Sequence, residues 1–271
     1  MTGETSTRGT SLHATSTHGT RARGVLIGVA TVAVLLGGWE AAVRLGDLPE
    51  FVLPSPSDVV AAAIHQAPVL GQHITTTATE AVLGLALGTA LGWLLAVLTS
   101  ALPTVGHAAR PVVLLSQTIP TVVLAPLMIL WAGFGLTSKV FLVSLTVFFP
   151  VLVAASAAIR DVDAEYSDTV LGLGGGRLHQ LWLVRLPASV PGALAGLRIA
   201  ATYAVGAAVV SEYLAGESGI GVFIQRSRKA YAVDQILVGI VLIALLSAVL
   251  VALIALLRRV ATPWQSHAVR L

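Results

Sequence analysis

Apolar positions run along this chain in long uninterrupted blocks rather than in the broken periodicity of a soluble core. Residues 81–109, 111–138, 140–159 and 235–257 contain no Asp, Glu, Lys or Arg. Each block is long enough to cross a hydrocarbon core of about 30 Å, which takes about 20 helical residues. Two further spans are weaker. Residues 25–43 are interrupted by Glu40 near one end, and residues 190–214 carry Arg198 near the start and Glu212 near the end. The pattern predicts an all-α, polytopic membrane protein with six transmembrane helices in one domain over 25–264. Ahead of it, residues 1–24 are rich in Thr, Ser, Gly and His without apolar periodicity and read as a disordered tail. Residues 265–271 form a short C-terminal tail. The apolar run 25–43 is longer than a signal-peptide core and lacks a convincing cleavage site, so it reads as a retained first helix.

Composition agrees with a bilayer as solvent. Of 271 residues, 56% are hydrophobic and 11% charged, against roughly 25% charged in a soluble domain. The net charge of +3 does not point to nucleic acid, because the basic residues are scattered singly among membrane segments instead of clustering on one soluble face. They act as topology signals. With the N-terminus inside and six spans, Arg8, Arg21, Arg23, Arg110, Arg160, Arg177, Arg185, Arg198, Arg258, Arg259 and Arg270 fall on the cytoplasmic side. Only Arg44, Lys139, Arg226, Arg228 and Lys229 fall outside. That excess puts both termini in the cytoplasm. Cysteine is absent, which excludes disulfides and thiolate metal sites.

Several positions carry structural or chemical expectations of their own. In Leu53-Pro54-Ser55-Pro56-Ser57-Asp58, two prolines hold an extended lead-in and Ser57 or Asp58 is expected to cap a helix along the membrane surface. Pro120 and Pro126 fall inside the third span and Pro150 inside the fourth, where each is expected to bend its helix; Pro120 and Pro126 are thereby candidate pathway or gate residues. Arg198 and Glu212 are the costly ionisable groups in the fifth span. Interfacial snorkelling is the plainer reading of both; the functional alternative puts Glu212 near an outer gate and Arg198 near an inner mouth. His65, His73, His107 and His179 are spread without metal-site spacing, and no metal or other cofactor is expected.

Residues 160–189 differ from the rest. Arg160, Asp161, Asp163, Glu165, Asp168, Arg177 and Arg185 alternate there with Val170, Leu171, Leu173, Leu178, Leu181 and Trp182. Such a segment cannot cross lipid. Two short amphipathic helices are expected, at 164–173 and 177–184, separated by Gly174-Gly175-Gly176 and ended by Pro187. The glycines allow a sharp turn at positive φ.

This segment resembles the loop carried by permeases of bacterial binding-protein-dependent ABC importers: Glu-Ala-Ala, three residues, Gly, nine residues, Ile, one residue, Leu-Pro. Here Asp168-Thr169-Val170, Gly174, Val184 and Leu186-Pro187 keep that spacing throughout. Asp168 preserves the charge; Thr169 and Val170 depart from the two alanines, and Gly175 and Gly176 extend the turn. Further stretches are similar to the nitrate, taurine and aliphatic sulfonate branch. They are Leu53-Pro54-Ser55-Pro56-Ser57, Gln117-Thr118-Ile119-Pro120 through Ala125-Pro126-Leu127, Trp131-Ala132-Gly133-Phe134-Gly135, Phe149-Pro150, Gly196-Leu197-Arg198, Ser211-Glu212, Gly219-Ile220-Gly221 and Pro263-Trp264.

The resemblance implies a type I ABC importer permease bundle in the bacterial cytoplasmic membrane. It implies a second permease copy, forming a homodimer, with cytoplasmic ATPase subunits on the loop and an external solute-binding protein. A taurine-like sulfonate is the favoured solute, with nitrate or a vitamin precursor as rivals. ATP hydrolysis belongs to a partner, since no Walker lysine motif is present and Gly172-Leu173-Gly174-Gly175-Gly176-Arg177 follows no strand. The alternative is a secondary transporter or channel working alone, which calls for mid-membrane ionisable groups or an inverted repeat. A membrane enzyme lacks a convergent catalytic set.

Overall fold

The computed structural model describes residues 17–102, 104–106, 108, 111, 113, 115 and 118–263. Every regular element among them is helical. α1 is Thr17–Leu45 and α2 Pro56–Ala101. A 3-10 turn, Thr121–Leu124, leads into α3, Ala125–Ala132. α4 is Leu136–Arg160, α5 Ala164–Gly172 and α6 Arg177–Gln180. A π-helical turn, Leu181–Arg185, joins α6 to α7, Leu186–Ala215; α8 is Ile220–Lys229 and α9 Val233–Ala261. Five helices among the described residues are long and apolar enough to cross a membrane.

Particular expectations are corrected by this arrangement. α1 starts at Thr17, inside the segment expected as a tail, while residues 1–16 and 264–271 lie outside the described residues. The third span, 111–138, lies partly outside them as well. Its described part does not contain two mid-helix kinks: Pro120 caps the 3-10 turn and Pro126 occupies the first turn of α3, a position where the missing N–H costs nothing. Pro150 does lie inside its helix. The lead-in helix and second span are not two elements but one 46-residue helix, and its cap is Ser55. Ser55 Oγ accepts the Asp58 N–H while Asp58 accepts the Ser55 N–H at 2.8 Å. Ser55 wins because Pro56 suits the first helical position and an acid follows three residues after the cap.

α4 lies between α2 and α7. Lipid offers no hydrophobic force to press membrane helices together, so they associate where small residues let backbones approach closely. α2 supplies Gly84, Gly88, Gly92 and Ala96 at four-residue intervals; α7 supplies Gly192, Gly196, Ala200, Ala204 and Ala208. A Cβ at Gly88 would meet the Ser144 carbonyl, and one at Gly196 the Ala154 Cβ. Val143, Val147 and Val151 of α4 are thereby buried against Ala200, Ala204 and Ala208. α1, by contrast, leaves Leu26, Val34 and Leu35 exposed and is tied to the start of α2 through Glu40, whose carboxylate accepts the Ser57 N–H at 3.1 Å and the Ser57 hydroxyl at 2.9 Å.

Overpacking this seam is expected to cost about 1–3 kcal/mol or more. Gly88→Val should lower the melting temperature of the detergent-solubilised chain. Gly206→Ala, at a position where a Cβ meets nothing within 4 Å, should leave it unchanged or slightly raised.

Candidate functional site

The elbow between α4 and α7 gathers every loop residue singled out in the sequence. α5 ends in a Schellman motif: the Gly174 N–H donates to the Leu171 carbonyl and the Gly175 N–H to the Val170 carbonyl, both at 2.9 Å. Gly174 sits at φ +83, the left-handed conformation that the motif demands and a side chain resists. Asp168, Thr169, Gly174, Gly176 and Pro187 are exposed, Val170, Gly175 and Val184 half-buried, and Leu186 buried.

Pro187 does not end the second elbow helix. The chain runs on through the π turn into α7, and the Leu186 N–H reaches back to the Leu181 carbonyl. A proline removes the donor that would follow in the α-helical ladder; one wider turn upstream absorbs the mismatch. The elbow is consequently one piece with α7. Leu173, Leu178, Trp182 and Leu183 are exposed along it, as are Asp168 and Arg177.

A second feature is a groove along α4 and α7. Two adjoining cavities, about 610 Å³ and about 360 Å³, share Pro120, Thr121 and Thr146. Pro150 and Ile199 line the larger, and Thr202 and Tyr203 the smaller. The walls are apolar apart from hydroxyls, and Thr146 Oγ1 donates to Thr121 Oγ1 at 3.1 Å. Pro120 thus lies where a pathway residue was expected. Pro126 and Arg198 are exposed and line neither cavity.

Glu212 does not snorkel toward solvent but is buried within the protein. It is 1% exposed; Oε1 accepts the Thr77 hydroxyl at 2.5 Å and Oε2 the Gly221 N–H at 2.6 Å. Gly219, at φ +123, and Gly221 admit this approach, because a Cβ on either would run into the Glu212 side chain. Thr77 accepts the Ile220 N–H at 2.8 Å and His73 Nδ1 the Gly219 N–H at 3.0 Å. Beside them, Lys139 Nζ pairs with Glu80 Oε1 at 2.7 Å. Lys139, read from the sequence as an outer-loop residue, is buried in the first turn of α4. Sequence reasoning missed this cluster. Its one signal was a lone lysine dividing two charge-free blocks, and its partner lies 59 residues away.

Comparison with known proteins places this architecture. Residues 88–267 match the family model of the binding-protein-dependent transport system inner membrane component. The chain is 35% identical over 239 residues to the riboflavin transport system permease protein of Chloroflexus aurantiacus, covering 87% of this chain and 89% of that one. It is 31% identical over 252 residues to the taurine transport system permease protein of Escherichia coli strain K12, covering 90% and 92%. Among solved structures, an amino acid ABC transporter shares the fold at a TM-score of 0.62 and 16% identity, over 73% of this chain and 97% of that one. The chain therefore belongs to the family of binding-protein-dependent transport system inner membrane components, the multi-pass permease subunits of ABC importers, whose ATP hydrolysis resides in a separate subunit.

Proposed function

We propose that two copies of this chain form a solute pathway along facing α4–α7 grooves, with both termini cytoplasmic, and that cytoplasmic ATPase subunits grip the elbow 164–185. The observation that carries this reading is the elbow itself: a surface of exposed apolar side chains, entered from α4 and continuous with α7. Closure of the ATPase pair on ATP draws two such elbows together, and each α7 transmits the displacement to the groove it lines. ATP shifts the equilibrium between inward- and outward-open states only by its differential affinity for them. An external binding protein delivers the solute.

A small organic sulfonate such as taurine is the favoured cargo, supported by the taurine permease at 31% identity and an aliphatic sulfonates permease of Bacillus subtilis at 29%. A vitamin-type heterocycle is the second reading, supported by the riboflavin relative and by the formylaminopyrimidine permease of Halalkalibacterium halodurans at 32%. Among the described residues the hydroxyl-dotted, otherwise apolar groove contains no charged side chain, which suits a passage that leaves selection to the binding protein. Competition of labelled taurine uptake by unlabelled taurine and by riboflavin separates the two.

Gly174→Pro, which fixes φ near −65° where +83° is required, and Asp168→Lys are each expected to abolish uptake and solute-stimulated ATP hydrolysis while membrane insertion stays normal. Wild-type uptake in both variants would refute the elbow assignment. Thr146→Trp fills the groove and should reduce uptake to background with the ATPase still bound, checked by transport assay alongside co-purification.

A further inference from the structure

The buried cluster at the end of the bundle remote from the elbow holds two carboxylates and one ammonium. Glu80 from α2 and Glu212 from α7 are both 1% exposed, and Lys139 from α4 is 6% exposed. Among the described residues, the other polar groups facing them add no cation. His73 accepts the Gly219 N–H at Nδ1, so its ring is neutral. Arg226 from α8 is exposed and donates to the Glu217 carbonyl at 2.9 Å. Tyr213, next to Glu212 on α7, contributes only a phenol. With every acid ionised the cluster would carry a net negative charge inside a membrane protein, and an uncompensated buried charge costs several kcal/mol.

The hydrogen bonds say where the compensation sits. Both oxygens of Glu212 take donors, and Glu80 Oε1 takes the ammonium. Glu80 Oε2 is buried with no hydrogen-bond partner. Glu80 lies one turn along α2 from Thr77, whose hydroxyl holds Glu212 Oε1, so the two buried carboxyls are neighbours across α2 and α7. Neighbouring carboxyls in a low-dielectric interior share one proton, because like charges so close resist ionising together. We propose that Glu80 and Glu212 form a binding site for one proton, carried on Glu80 Oε2 and directed at Glu212, which with Lys139 makes the cluster neutral. A hard metal cation is a poorer occupant: it takes six or more oxygen ligands, whereas a single oxygen here is uncommitted. A water molecule would satisfy that oxygen and leave the charge in place.

The site is tested on the full-length chain in lipid nanodiscs. At neutral pH the infrared spectrum is expected to contain the carbonyl stretch of a protonated carboxylic acid, shifting in D2O and lost in Glu80→Gln. Glutamine is the neutral isostere: its carbonyl still accepts Lys139 and its amide donates to Glu212. The melting temperature of Glu80→Gln should therefore stay near wild type, whereas Glu80→Ala, which strands Lys139, should lower it. A wild-type spectrum without the band, a band that survives in Glu80→Gln, a Glu80→Gln chain as damaged as Glu80→Ala, or a melt that rises with sodium or potassium at constant ionic strength would each overturn the proposal.

Discussion

The close approach of α2 and α7 to opposite sides of α4 is the constraint on which everything else in this chain rests. In a bilayer the apolar side chains of α4 gain nothing by leaving lipid for protein, so contact must come from van der Waals fit and polar bonds. Glycine and alanine at every fourth position give α2 and α7 flat faces, and the valines of α4 fill them. Only at such short separation can Lys139, Glu80 and Glu212, each on a different helix, come within reach of one another. The cluster is a consequence of the seam, and it pins the register of three helices that small residues alone would leave free to slide.

Much of this could be read in the sequence because membrane helices announce themselves by length. Three of the four charge-free blocks fall on helices long enough to cross a membrane, the block 111–138 being broken among the described residues into a 3-10 turn and a short helix, and the alternation of charged and apolar residues across 160–189 marked a long stretch unable to enter lipid. The elbow's break was legible at Gly174, since one residue type accepts the left-handed turn so readily. What escaped was what depends on distant partners. Pro187 looked like a terminator, and only the wider turn at Leu181–Arg185 reveals that the helix survives it. Glu212 looked like a snorkelling residue because its companions are 135 and 9 positions away, and no local pattern discloses Thr77 or the Gly221 N–H.

Among solved structures the likeness is one of fold, at 16% identity, whereas the relatives near 30% identity carry the family. The names of those relatives diverge across sulfonates, riboflavin and a pyrimidine. A groove whose described polar side chains are threonine, serine and tyrosine hydroxyls is compatible with that spread, since hydroxyls can bond many solutes.

The cluster and the elbow stand at opposite ends of the same two helices. From Lys139 to Arg160 is 21 residues of α4, about 32 Å at 1.5 Å per residue, close to the thickness of the hydrocarbon core. At one end, Lys139 of α4 bonds Glu80 of α2, and Glu212 of α7 holds the Thr77 hydroxyl of α2 and the Gly221 N–H in the first turn of α8. At the other, α4 and α7 are linked by an elbow with a glycine turn on the α4 side and an unbroken helical path on the α7 side. The turn at Gly174 separates the helix that α4 feeds from the path that runs into α7. The buried cluster thus ties α4 and α7 to the same stretch of α2 at the end remote from the elbow, and the groove along α4 and α7 lies between the cluster and the elbow.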